Sequence, residues 1–265
     1  MGVKPLSPLD LSLAATLVLL LGILSRRMRL GLEKRLAISA LRTTVQLLFI
    51  GQVLRVLFSN ASFLFVFAIS MVMLTVAGRE VVVRQHRKIR GFQGWLLGTG
   101  SMFVSSFAVA FFALAVIIAN DPWYTPQYAI PLLGMLLGNT MNGISLSMDR
   151  MTEALWQQRQ IVEQRLLLGQ TSREAIHEIR QQAMRSGMIP IINAMAAAGL
   201  VSLPGMMTGQ ILGGSSPMDA VKYQILIMFL ICAGTGFGVM TAITLTSRKL
   251  FDDRDRLRLE VLEKS

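Results

Sequence analysis

Apolar residues run in long blocks along this chain, separated by short polar stretches. Crossing about 30 Å of hydrocarbon takes roughly 20 apolar residues in a helix. By that measure the pattern predicts seven membrane-spanning helices: Leu9–Leu24, Leu36–Phe58, Phe63–Val83, Trp95–Ala119, Ile130–Met148, Met188–Leu203 and Tyr223–Thr246. The first is short and can start nearer Pro5. The sixth is also short and runs into Ser202-Leu203-Pro204-Gly205, a helix-breaking sequence. The longest polar connection, Asp149–Gly187, reads as two further helices. The first, from about Arg150, carries Met151, Leu155, Val162 and Leu166 on one stripe, and Gly169 is placed to stop it. Thr171-Ser172-Arg173-Glu174 then has the capping-box pattern. Ile176, Ile179 and Ala183 follow at i, i+3, i+7. No repeat or low-complexity segment interrupts the pattern, so residues 1–265 read as one domain.

Charge sets the orientation. Of 26 Lys and Arg residues, 22 fall in four patches, Arg26–Arg35, Arg79–Arg90, Arg150–Arg185 and Arg248–Lys264. These alternate with the apolar blocks, and cationic loops stay in the cytoplasm. The N-terminus is then outside and the C-terminus cytoplasmic, with outer loops at Ser59–Ser62, Asn120–Ala129 and Pro204–Lys222. The second of these carries the aromatic residues expected at a membrane surface. At 53% hydrophobic, 15% charged and a mean hydropathy of +0.55, the chain is an all-α integral membrane protein. Its net charge of +11 lies beside apolar spans and faces anionic lipid, so nucleic acid is not the expected partner. The single Cys232 excludes an internal disulfide and a CxxC metal site. The first apolar block is not a signal peptide, because its arginines follow the hydrophobic run and no A-x-A site appears.

Polar residues inside spans are costly and mark function or packing. Arg42 lies about 9 Å into the second span at 1.5 Å per residue, with Gln46 one turn beyond it and Gln52 and Arg55 following. These are topology anchors or a polar face turned inward. Glu80, beside Arg79, is expected to make a local or interhelical ion pair. In the fifth span Gly134, Gly138, Asn142, Ser145 and Asp149 share a stripe, with Asn139 alongside. The Gly134–Gly138 pair predicts a close helix approach, and the asparagines either bond across an interface or line a pathway. Asn193, Ala194, Ala196, Ala197, Ala198 and Gly199 predict tight packing of the sixth span. Met206 and Met207 stand in an outer turn, where thioethers suit a soft metal or simply fill apolar space. There is no GxSxG, HExxH or His/Cys/carboxylate cluster. There is also no GxxxxGK[ST], so no P-loop for ATP.

The segments 138–150 (Gly-Asn-Thr-Met-Asn-Gly-Ile-Ser-Leu-Ser-Met-Asp-Arg), 166–175 (Leu-Leu-Leu-Gly-Gln-Thr-Ser-Arg-Glu-Ala), 199–214 (Gly-Leu-Val-Ser-Leu-Pro-Gly-Met-Met-Thr-Gly-Gln-Ile-Leu-Gly-Gly) and 220–225 (Ala-Val-Lys-Tyr-Gln-Ile) resemble one family. It is the FetB-type (UPF0014) permeases, membrane subunits of an iron-export ABC transporter, to which plant aluminium-tolerance permeases are related. The likeness covers about Leu36 to Phe251. It implies a seven-span permease of the bacterial inner membrane, paired as a homodimer and working with a separate cytoplasmic ATPase that holds ATP and Mg. It also implies that Leu168, Gly169, Glu174 and Ala175 belong to a cytoplasmic coupling segment. Docking of 149–187 into a groove of the ATPase, through Gly169, Thr171, Arg173, Glu174, Ala175, Ile176 and Ile179, then outweighs a helix lying on the membrane. The candidate pathway is Arg42, Gln46, Asn139, Asn142, Ser145, Met206 and Met207, with the metal ligands unassigned. No enzyme activity and no cofactor on this chain are expected. A stand-alone secondary transporter is the alternative, but it needs a mid-membrane acid, and Glu80 and Asp149 sit at the boundary. A seven-helix photoreceptor needs a Lys in the middle of the last span, and Lys222 precedes that span.

Overall fold

A computed structural model describes residues 7–59 and 62–264. The middle of the expected loop Ser59–Ser62 and a start near Pro5 lie outside these residues. The chain opens with α1 (Pro8–Arg27), capped by Ser7 and Asp10, whose carboxylate accepts the Ser7 N–H at 2.8 Å. Then come α2 (Glu33–Ser59) and α3 (Phe63–Val83). The next span runs Phe92–Ile118: α4 (Phe92–Met102), a π-turn Phe103–Phe107, α5 (Ala108–Phe112) and a second π-turn Ala113–Ile118. Beyond it are α6 (Pro126–Gln157), α7 (Arg159–Leu167), α8 (Ser172–Ala175), α9 (His177–Ala197), α10 (Gly205–Leu212) and α11 (Pro217–Lys249). A short antiparallel pair, β1 (Arg87–Ile89) with β2 (Leu262–Lys264), was not expected; it folds the C-terminal tail back against the loop after α3.

Among the described residues, six helices are long and apolar enough to cross a membrane: α1, α2, α3, Phe92–Ile118, α6 and α11. The predicted sixth span is discontinuous. α9 continues through Pro190 to Ala197, the chain turns at Gly199 (φ 85°), and α10 restarts after Pro204. Gly187 of α9 lies level with Gly143 of α6 and Val239 of α11. Counting residues from there, α9 ends about 15 Å further on, whereas α6 began about 26 Å away on the same side. α9 therefore stops roughly 10 Å short, and α10 fills the remaining depth beside α11, where the Met207 N–H donates to Gln224 Oε1 at 3.3 Å.

The core is a seam of small residues where α6, α9 and α11 meet. A Cβ on Gly187 would stand 2.6 Å from the Gly143 carbonyl oxygen, and one on Gly238 would stand 2.6 Å from Thr140 Cγ2. Close backbone approach of this kind is what holds helices together when no hydrophobic effect separates them from lipid. The expected Gly134–Gly138 pair does not do this: a Cβ on Gly138 would meet nothing within 4 Å, and one on Gly134 would meet only the tip of Met73 at 3.3 Å. The contact falls instead on glycines whose neighbours along α6 are buried. Asn193, Ala194 and Ala196 are exposed, so tight packing of that stretch is not made within this chain. The helix expected from about Arg150 to the Gly169 stop is instead the end of α6, to Gln157, followed after Gln158 by α7.

All four basic patches gather at one end. Arg42 of α2 meets Glu80 of α3 there. His86 N–H donates to Asp149 at 2.6 Å, and Arg87 pairs with Glu153 at 2.9 Å while its guanidinium lies over Trp156. The opposite end carries an aromatic cluster, in which Phe63, Phe111, Trp123 and Tyr124 meet edge to face.

Candidate functional site

The first concentration of chemistry is the capped turn at the basic end. α7 stops because Gly169 adopts φ 90°, with Gly169 N–H returning to Leu166 O at 3.0 Å and Gln170 N–H to Arg165 O at 3.2 Å. That is the paired closure of a Schellman motif. The chain restarts through the predicted capping box. Thr171 N–H and its hydroxyl both donate to Glu174 Oε2 at 2.8 Å, and Glu174 N–H donates to Thr171 Oγ1 at 3.4 Å. The Thr171 backbone N–H, then its hydroxyl, holds the Glu174 carboxyl below its ordinary value. Arg165 clamps the turn from behind, donating to Ala175 O at 3.1 Å and pairing with Glu178 at 3.2 Å.

The apolar stripe beyond the cap points inward. Ala175, Ile176, Ile179 and Ala183 are buried in the chain's own core, Ile176 being 1% exposed. Ile176 and Ile179 are thus anchors of the turn, not side chains presented to a partner. What the turn presents is Leu167 and Leu168, 87% and 84% exposed, followed by Gly169, Thr171, Arg173 and Glu174. Leu167 was missed in the sequence because the helical stripe through Val162 and Leu166 leaves it on its far side; Leu168 entered there only through the family resemblance. The available signal was two apolar residues directly before a glycine stop, off that stripe.

The second concentration is a face of α6. Asn142 Oδ1 accepts from Arg84 Nη1 at 2.6 Å. Arg84 also approaches Glu80 at 3.7 Å, and Glu80 takes Arg42 at 2.6 Å. Four residues from three helices thus form one network, in which two guanidiniums against one carboxylate leave one positive charge. Arg84 was not among the sequence candidates. Gln46 is exposed on α2 and lies outside the network's bonds. Ser145 is buried, with its hydroxyl 3.5 Å from Val81 O. Asn139 donates to Met135 O on its own helix at 2.8 Å. One turn further toward the aromatic end, Met135 lines a cavity of about 60 Å³ with Gln127, Tyr128, Met206, Gln210 and Tyr223. Gln210 Oε1 is buried there without a hydrogen bond. Met206 and Met207, expected in an outer turn, lie instead in the first turn of α10; Met206 lines the cavity with Met135, and Met207 donates its backbone N–H to Gln224. The stripe Met135–Asn139–Asn142 runs from this cavity to the Arg84–Glu80–Arg42 network along the flank of the bundle, with Asn142 exposed.

Six long apolar helices around a small-residue seam define a multi-spanning α-helical membrane protein. Among the described residues, no group of His, Cys, Asp and Glu is arranged to hold a metal ion. The chain belongs to UPF0014, an uncharacterised protein family whose profile matches residues 8–251. It is 40% identical over 217 residues to a UPF0014 membrane protein of Synechocystis sp., covering 82% of this chain and 83% of that one. It is 30% identical over 262 residues to the probable iron export permease protein FetB of Escherichia coli, covering 96% of both. It is 32% identical over 233 residues to the protein ALUMINUM SENSITIVE 3 of Arabidopsis thaliana, covering 88% and 82%. No solved structure matches. The chain is a membrane permease and not an enzyme.

Proposed function

We propose that this chain is the permease subunit of an ABC transporter of the bacterial inner membrane, exporting iron or another metal ion. The work would be driven by a separate cytoplasmic ATPase that carries ATP and Mg. The capped turn carries this reading. It closes on both sides with side-chain and backbone bonds, presents two leucines that stand uncovered among the described residues, and continues directly into α9 and the small-residue seam. A helix-in-groove partner reads such a knob. ATP-driven closure of two ATPases would shift Leu167–Arg173 and, through α9, rock the α6–α9–α11 seam between two states.

A homodimer fits the pathway. Asn142 and the outer face of α9 are open on the flank of one copy, so a second copy is needed to enclose a route between them. The charge left over at Arg42–Glu80–Arg84 opposes a bare cation and favours a chelated, anionic form of the metal. The two thioethers and the amides at the other end suit release of a softer ion. Discontinuous helices such as α9–α10 are the usual sites of cargo contact in transporters. A secondary transporter is less well supported, because Glu80 is held by two guanidiniums.

Inside-out vesicles holding the permease and its ATPase should take up radiolabelled iron only with hydrolysable ATP. Leu168→Asp should leave insertion intact but weaken co-purification with the ATPase about tenfold or more, a loss of about 1.4 kcal/mol. ATP-independent uptake driven by a proton gradient would overturn the ABC reading.

A further inference from the structure

A cavity of about 240 Å³ opens at the basic end, between the start of α9 and the end of α11. Three arginines line it, Arg173, Arg180 and Arg248, together with Ser172, Thr244 and Ser247 and the apolar Ile176 and Phe251. Among the described residues, none of the three arginines forms an ion pair. The acids nearest in sequence are engaged elsewhere: Glu174 in its cap, Glu178 with Arg165, and Asp252 with Arg256 at 2.7 Å. Arg180 Nε is buried and has no hydrogen-bond partner. Burial first, then the charges of Arg173 and Arg248, depress the Arg180 guanidinium below its ordinary value. Three cations held together in a concave, partly desolvated site repel one another, and an unpartnered buried donor adds a desolvation cost. Such an arrangement persists where an anion completes it.

We infer that this cavity is a binding site for a phosphate group, presented either by a soluble phosphate or by the headgroup of an anionic inner-leaflet lipid. Guanidiniums match phosphate oxygens by paired, planar donation, and a multiply charged tetrahedral anion can accept from several arginines and hydroxyls at once. The position gives the site a consequence. The anion would bridge the base of α9, directly behind the capped turn, to the end of α11. Occupancy would therefore lock the turn onto the bundle. The inference rests on the cavity and not on the ABC reading.

The test uses the full chain. In dodecyl maltoside at constant ionic strength, inorganic phosphate is titrated while the unfolding temperature is followed. In parallel, nanodiscs of phosphatidylcholine are compared with nanodiscs carrying phosphatidylglycerol. A saturable rise with phosphate identifies a soluble ligand; a rise with phosphatidylglycerol alone identifies a lipid headgroup. Either response should weaken at least tenfold in Arg180→Gln and in Arg248→Gln, while Arg185→Gln, the same charge loss on the exposed side of α9, should respond as wild type does. Thr244→Glu supplies an internal carboxylate, so it should raise the unfolding temperature without any ligand and abolish the further response. If Arg180→Gln does not fold, exposed Arg248 decides the matter. No saturable response to either probe, or equal weakening in Arg185→Gln, overturns the inference.

Discussion

Glu80 is the residue on which the polar flank of the bundle depends. Its carboxylate neutralises Arg42 from α2 and stands beside Arg84, which in turn holds Asn142. Removing the one acid leaves two guanidiniums facing each other at the membrane boundary. Partial exposure screens them, so the cost of Glu80→Gln is expected at about 1–3 kcal/mol, seen as a lower unfolding temperature in detergent. Arg42→Gln combined with Glu80→Gln should recover part of that loss, since the pair is coupled. Equal stability of Glu80→Gln and wild type would show the network to be incidental. Asn142→Leu should fold but release Arg84, and transport by that variant at the wild-type rate would move the pathway away from α6. Arg42, Glu80 and Asn142 were each visible as polar residues in apolar runs. Arg84 was not, because it lies in a basic patch already accounted for by orientation, and periodicity within a helix does not say which distant residue faces it.

At the scale of elements, the capping box was readable directly from Thr171 to Glu174, because a cap is a local pattern of four residues. The direction of the stripe beyond it was not. Ile176 and Ile179 have the spacing of a docking face and of a core face alike, and only the position of α6 and α11 distinguishes the two. The consequences differ sharply. Ile176→Asp buries an unpaired carboxylate and should cost several kcal/mol, roughly 3 or more, abolishing a well-folded permease instead of merely uncoupling it. Leu168→Asp should leave the unfolding temperature unchanged. A folded, stable Ile176→Asp protein would show that the turn is not anchored there. The cap has a sign in pH. Glu174 binds its proton less readily folded than unfolded, so its contribution is present above the ordinary glutamate range and fades as pH falls through the lower folded value. Amide exchange at Thr171 and Glu174 should accelerate in that acidic window and not at neutral pH. In the seam, Gly187→Ala would drive a methyl group into the Gly143 carbonyl and should cost about 1–3 kcal/mol, whereas Gly138→Ala should be silent. The reverse order would restore the Gly134–Gly138 pair as the contact.

For the whole molecule, the seven spans expected from hydropathy and the six long apolar helices among the described residues differ, and the difference has a physical source. α6 runs toward the basic end and α11 starts at the aromatic end, since Gly143 lies level with Thr235 while α11 continues to Arg248 beside Arg173 and Arg180. The chain between them therefore runs the length of the bundle, although α9 stops short and α10 is only 8 residues long. In the sequence this stretch reads as a weak, short span because the run is broken at Gly199 and Pro204, where the backbone leaves the helix inside the bundle's depth. If α9 and α10 together make a seventh passage, α1 starts and α11 ends on opposite sides of the membrane. In a Cys232→Ala background, cysteines at Ser7, Gln127 and Ser215 should then react with an impermeant thiol reagent in intact cells. Cysteines at Arg87, Gln170 and Arg256 should react only after permeabilisation. A cysteine at Ser202, in the turn between the half-helices, should react from outside but more slowly than one at Ser215, because it sits below the surface. If Ser215 is instead shielded in intact cells while Gln127 is labelled, α9 and α10 do not cross. The positive charge of Arg248–Lys264 would then have to share a side with the aromatic loop, against the folding of β2 onto β1.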